Sequence, residues 1–302
     1  MTEFFNTLAS HPNAANIAFA LALISAISHS IFGALQKDKN DPFLVRAAID
    51  FWFIMLWLPI GLFFMPWPTA YEWLLIAGLF PIHTAYKTAL AMAYRNGDYS
   101  FIYPIARGSS PFFTALIGFA IFGDALHGWQ WLGIVIISLA IMAMAIEAAK
   151  RNNLDPKMLK AATWFALLTG ALITTYSLYD TFGVRESRSP MIFLTWFYVI
   201  DGWIFPLVAY IKRDSFRPVN GYRPLAWKGF YTSLFGILSF TAIFIASDIG
   251  RIGEVFAIRE TSVVFAALIG YFFLREKVSP LRFALIGLIA LGAILIKVGS
   301  IT

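Results

Sequence analysis

Apolar residues run through this chain in stretches of about twenty, separated by short polar breaks rich in turn-forming pairs. Stretches of that length match the hydrocarbon thickness of a bilayer when wound as helices. On this pattern membrane-spanning helices are predicted near 13–36, 43–65, 72–94, 99–122, 129–148, 161–184, 190–211, 226–248, 252–274 and 279–297, here called spans 1 to 10. The breaks carry the chemistry expected of turns: Asp41-Pro42, Pro66-Trp67-Pro68, Asn96-Gly97-Asp98, Ser189-Pro190, Asp248-Ile249-Gly250 and Ser279-Pro280. The connections are mostly short, so no soluble domain is expected between spans.

A repeat lies over the pattern. Ile105–Gly118 reads IARGSSPFFTALIG and is nearly restated as AIRETSVVFAALIG at Ala257–Gly270, with seven of fourteen positions identical, including Arg107/Arg259, Ser110/Ser262 and Gly118/Gly270. Ile49-Asp50-Phe51-Trp52 in span 2 answers Ile200-Asp201-Gly202-Trp203 in span 7, and Asp124 answers Glu276. Two five-span halves, 1–150 and 155–302, are the expected domains. Five is odd, so the second half must enter the membrane from the opposite side. The fold class expected is an all-α polytopic membrane protein of ten transmembrane helices, arranged as two inverted five-helix repeats.

Composition agrees with this and narrows it. Of 302 residues, 59% are hydrophobic and 13% charged, about half the charge of a soluble domain. The net charge of +6 is explained by loops and gives no reason to expect nucleic acid. Residues 1–12 hold no base, so a cleavable leader is not expected ahead of span 1. Of the 23 Lys and Arg, three lie inside spans (Lys87, Arg107, Arg259) and four on the face bearing both termini (Arg185, Arg188, Arg251, Lys297). The remaining sixteen sit on the other face. The positive-inside rule puts those sixteen in the cytoplasm and both termini outside, in what is expected to be a bacterial inner membrane. With no cysteine and four histidines lacking HExxH spacing, neither a metal nor a cofactor is expected, and no catalytic set is recognisable.

The same segments resemble a known family. Tyr103-Pro-Ile-Ala-Arg107-Gly-Ser-Ser-Pro111, closed by Asp124 and followed by Gln130 and Gly133, is similar to span 4 of EamA-type members of the drug/metabolite transporter superfamily. Arg259-Glu-Thr-Ser-Val263 with Leu274-Arg-Glu276 resembles the second copy. Ser177-Leu-Tyr-Asp180 with Gly183-Val-Arg185 resembles the end of span 6 in one bacterial branch. The resemblance covers the whole chain and implies a small-molecule transporter, without selecting a substrate. It also implies cytoplasmic termini, the reverse of the loop-charge reading.

Candidate binding residues follow from the cost of burying charge. A guanidinium at membrane depth costs at least about 2.5–3.5 kcal/mol, so Arg107 and Arg259 are expected to face the bundle interior, with Ser110 and Ser262 on the same helical faces. They suit a shared anionic group; alternatively helix carboxylates neutralise them, Asp50 and Asp201 being the partners considered. In span 6, Tyr176, Tyr179 and Asp180 could hold an ammonium by charge and ring quadrupole, or Asp180 could be interfacial. His29 in span 1 and His83 in span 3 are ligand candidates or packing residues, and Lys87 is expected to snorkel. Glu260 abuts Arg259 but points about 100° away, toward another helix, and is counted with the binding candidates, whereas Glu254 reads as solvated. Gly118 and Gly270 suit close helix packing, while Trp67, Trp73 and Trp227 suit the membrane interface. The function expected is secondary transport of a small polar metabolite with an anionic group, amino-acid-like or another organic anion, by alternating access. An exporter of hydrophobic or aromatic cations is the alternative, ahead of an intramembrane enzyme or a channel. Proton or exchange coupling and a monomeric or homodimeric state are left open.

Overall fold

A computed structural model describes residues 11–36, 38–96, 102, 106–107, 110–123, 125–151, 156–272 and 279–299. Among the described residues every regular element is a helix: α1 (Ala14–Gln36), α2 (Pro42–Phe63), α3 (Ala70–Asn96), α4 (Ser110–Phe122), α5 (Gly128–Arg151), α6 (Pro156–Glu186), α7 (Pro190–Asp201), α8 (Ile204–Ile211), α9 (Tyr222–Ile249), α10 (Ile252–Arg259), α11 (Ser262–Phe272) and α12 (Pro280–Gly299). Seven stretches among the described residues are long and apolar enough to cross a membrane, α7 and α8 counting together, with shorter apolar helices beside them. The protein is an all-α polytopic membrane protein. Asp124 and Glu276, the matched acids, lie outside the described residues.

The turn pairs act as helix starts. Asp41 caps α2 by accepting from Phe43 N (2.9 Å), and Ser189 caps α7 by accepting from Met191 N (3.4 Å), each followed by proline at the first helical position. Ser279 does the same for α12 through Arg282 N at 3.2 Å. These caps occupy donors that nothing else within the helix can satisfy.

Two spans read as continuous are broken. Span 7 divides at Gly202-Trp203 because Pro206 has no N–H to return to the Gly202 carbonyl and its ring crowds that group. Gly202 itself is pressed close enough to α2 that an added Cβ would sit 2.7 Å from Ile54 Cγ1. Span 9 divides at Glu260-Thr261, where Thr261 N and Val263 N bond three residues back, to Ile258 O (3.0 Å) and Glu260 O (3.1 Å). Such tightening shifts the side chains beyond it around the axis.

Packing follows a regular order. α1 lies along α9 and α3 along α6; α2 meets both parts of span 7; α4 meets α10; α5 meets α12. Exchanging each span for the one five places away converts the first pair into the second and maps each of the last three onto itself. Apolar residues from nearly all these helices form one continuous core, including Phe53, Phe193, Tyr198, Phe244 and Ile258. Loops join on one face, where Lys228 pairs with Asp38, Arg95 with Asp41, and Asn40 Oδ1 accepts from Val219 N at 2.7 Å. Burial of Asp38 opposes ionisation, but hydrogen bonds from Lys228 and Asn40 outweigh it and hold its carboxyl below the usual value. Trp67 and Trp227 are exposed at helix ends, as interface anchors would be, whereas Trp73 packs on Trp196 with ring centroids 4.9 Å apart.

Backbones touch where α5 crosses α12. A Cβ on Gly133 would lie 2.4 Å from the Gly292 carbonyl oxygen, and one on Gly292 would lie 2.7 Å from Ile137 Cγ1. Small residues permit this approach in a bilayer, where dispersion and packing replace the hydrophobic drive between helices. Gly292→Leu is expected to lower the thermal unfolding midpoint of the detergent-solubilised protein, overpacking costing about 1–3 kcal/mol. An unchanged midpoint would show that the two helices are free to separate.

Candidate substrate site

The arginines of the repeat come together with span 1. Arg107, from span 4, and Arg259, at the end of α10, are both buried, with Arg259 only 1% exposed. Arg107 donates to Glu260 Oε1 at 2.7 Å, and its Nη2 contacts His29 Nε2. Glu260, expected to point away from Arg259 toward another helix, meets Arg107 of span 4. Asp50 and Asp201, considered as arginine partners, serve a different cation.

Hydrogen-bond logic assigns the histidine. A guanidinium only donates, so Arg107 makes His29 Nε2 the acceptor and leaves the ring proton on Nδ1. Nδ1 lies 3.4 Å from Ser239 Oγ, which itself bonds Ser25 O at 3.1 Å. It also lies 3.3 Å from Arg259 Nη2, but two donors cannot bond. Arg259 Nε has no partner, and no carboxylate among the described residues pairs with this guanidinium. Its neighbours are aromatic: the Phe240 and Phe256 ring centres are 5.5 and 6.0 Å away. Among the described residues the cluster brings two guanidinium groups to the Glu260 carboxylate, whose second oxygen, Oε2, is buried without a hydrogen-bond partner. Ser110 and Ser262 are buried at the starts of α4 and α11, in matched places.

A second polar group is built on α3. His83 Nε2 lies 3.0 and 2.9 Å from the two Asp180 oxygens, joining α3 to α6. Asp180 is fully buried rather than interfacial. One turn further along α3, Lys87 Nζ meets Asp50 at 2.9 Å and Asp201 at 2.7 Å, and Arg46 meets Asp50 at 2.7 Å. Lys87 also bonds the Asp201 backbone carbonyl at 2.8 Å, a group beside the break in span 7. The lysine does not snorkel: it is buried and fastens α2, α3 and α7. Its two carboxylates and two cations balance.

Aromatic rings link the two groups. Tyr176 packs at a tilt against His83 (4.9 Å between centroids) and Tyr86 (4.8 Å), and Tyr86 packs in one apolar cluster with Ala106, next to Arg107. The Tyr176 hydroxyl is buried without a partner. Tyr179 belongs to neither group: its hydroxyl donates to Leu75 O at 2.8 Å against the bare surface of Gly78. Glu254, read as solvated, is buried and accepts from Gln130 at 2.8 Å. That contact shows what Gln130 does: it ties α5 to α10. Ser239, Tyr86 and Phe240 escaped the sequence reading because an isolated serine or aromatic in an apolar span carries no local signal.

Comparison with known proteins agrees with this fold. Residues 160–298 match the EamA-like transporter family. A solved crystal structure superposes with a TM-score of 0.71 at 17% identity, covering 95% of this chain and 99% of that one; at that identity it speaks for the fold alone. No curated protein is significantly similar in sequence. The likeness to EamA-like transporters thus rests on residues 160–298, a little under half of a chain built as a multi-pass membrane protein.

Proposed function

We propose that the protein is a secondary transporter of a small polar metabolite bearing an anionic group, moved by alternating access between two inverted five-helix halves. The observation that carries this reading is the buried Arg259 guanidinium, which lies against the His29 ring and two phenyl rings and pairs with no carboxylate among the described residues. A carboxylate or phosphate would complete its fork bidentately. An amine on the same molecule would lie toward the ring faces of Tyr176 and Tyr86, which favour a cation; an amino-acid-like zwitterion meets both demands. The packing order, which repeats under exchange of spans five apart, supports the two-halves organisation. Export of hydrophobic cations is less well supported, because His83 and Lys87 already engage Asp180, Asp50 and Asp201. The reading is tested by uptake into proteoliposomes, with unlabelled amino acids, other organic acids and aromatic amines as competitors. Competition by carboxylates and not by the matching amides is expected. Competition by the amines alone would overturn it in favour of cation export.

The membrane orientation belongs to the same proposal. The base-rich loops face the cytoplasm and the termini face outward, by the positive-inside rule. The chain has no cysteine, so Asn13→Cys and Asn220→Cys each introduce the sole thiol. In intact cells a membrane-impermeant maleimide is expected to label residue 13 and spare residue 220. Labelling of 220 alone would reverse the orientation.

A further inference from the structure

A second binding surface lies away from the arginines. Between α2, α8 and α9 runs an open groove of about 410 Å³, walled by Leu44, Ala47, Phe51, Ala209 and Leu225. It starts where three elements meet one membrane face: the beginning of α2, the end of α8 and the beginning of α9. From Leu44 to Phe51 it descends about 10 Å along α2 at the helical rise. Phe51, Leu207, Trp227 and Tyr231 around it are exposed, so this wall looks into the lipid. Small residues, Ala47, Ala48, Ala209 and Ala226, hollow it out.

The mouth has a different character. Tyr210, Arg213 and Tyr222 line it. The Arg213 guanidinium lies 5.4 Å over the Tyr210 ring, and no carboxylate among the described residues pairs with it, the neighbouring Asp214 included. Lys212 and Arg217 stand exposed in the same connection, and Arg223 in the first turn of α9. A cation held at the interface above an apolar furrow matches a single amphiphile: acyl carbons below, a negative headgroup above.

We propose that this groove holds one acyl chain of an anionic phospholipid whose headgroup phosphate pairs with Arg213. Charge complementarity selects the occupant, since a zwitterionic lipid brings an ammonium into a mouth already ringed by bases. The site is distinct from the Arg107–Arg259 cluster and independent of the substrate assigned to it.

The test is native mass spectrometry of the detergent-purified full chain titrated with phosphatidylglycerol or with phosphatidylcholine of the same acyl chains. One phosphatidylglycerol per chain is expected to remain bound, with about fivefold preference over phosphatidylcholine, the effect of roughly one base at an anionic headgroup. Arg213→Gln, on an exposed side chain, should abolish the preference; Ala209→Phe, which fills the furrow, should remove retention of both lipids. Equal retention of the two lipids, or an unchanged preference in Arg213→Gln, would overturn the proposal. So would displacement of the lipid by millimolar inorganic phosphate, which would mark a free-anion site, or a doubled mass without lipid, which would mark a second copy of this chain in the groove.

Discussion

Arg259→Ala is expected to abolish transport while leaving the protein as stable as the parent or slightly more so. The two halves of that expectation come from one fact. Arg259 has no carboxylate partner among the described residues, so deleting it strands no buried anion and removes an uncompensated cation. Its loss falls on the substrate: removing one member of a buried charge pair costs about 2–5 kcal/mol, or roughly 30- to 4,000-fold in affinity. Lysine should rescue poorly, because a point charge cannot reproduce a planar fork. Arg107→Ala is expected to stop transport differently, by leaving Glu260 buried without its 2.7 Å partner and lowering the unfolding temperature as well. Proteoliposome uptake and thermal unfolding, measured on both variants, separate the two. Uptake at the parent rate in Arg259→Ala would remove this residue from the site.

Lys87→Met has the second large expected effect, on folding rather than on recognition. Lys87 fastens Asp50, Asp201 and a backbone carbonyl beside the break in span 7. Without it Asp50 keeps Arg46, but Asp201, itself buried, loses its ion pair. Breaking a buried pair from one side costs about 3–5 kcal/mol, whereas replacing both partners is often close to neutral. Lys87→Met is therefore expected to lower the thermal midpoint and the yield of folded protein, and Lys87→Met with Asp201→Asn to recover much of both. A single variant as stable as the parent would show that the two carboxylates do not need the lysine.

Much of this was legible because it is local. Stretches of about twenty apolar residues and the Asp-Pro and Ser-Pro pairs fixed where helices begin, and the caps at Asp41, Ser189 and Ser279 are the reason. The depth of Arg107 and Arg259 was legible too, since a guanidinium in an apolar span has few places to go. Partner choice was not. Which carboxylate met which cation depended on breaks at 202–203 and 260–261, and only the first has a local marker, Pro206. Glu260 was expected to face another helix and does, but no local signal named Arg107 as its partner. Lys87 and Glu254 were misread for a related reason: a charge near a helix end looks solvated until a neighbour, such as Gln130 for Glu254, closes over it. His83 and Asp180 lie 97 residues apart in the chain, and no spacing rule joins them.

The most direct measurement compares a carboxylate ligand with its own amide. Purified parent and Arg259→Ala proteins would be titrated with each small carboxylate that competes for uptake and with the corresponding carboxamide, following thermal stabilisation, because a ligand stabilises the state it binds. A binding site completed by an anion at Arg259 predicts stabilisation of the parent by the carboxylate, little by the amide, and none of Arg259→Ala by either. Equal stabilisation of the parent by acid and amide, or an undiminished response of Arg259→Ala to the acid, would contradict it.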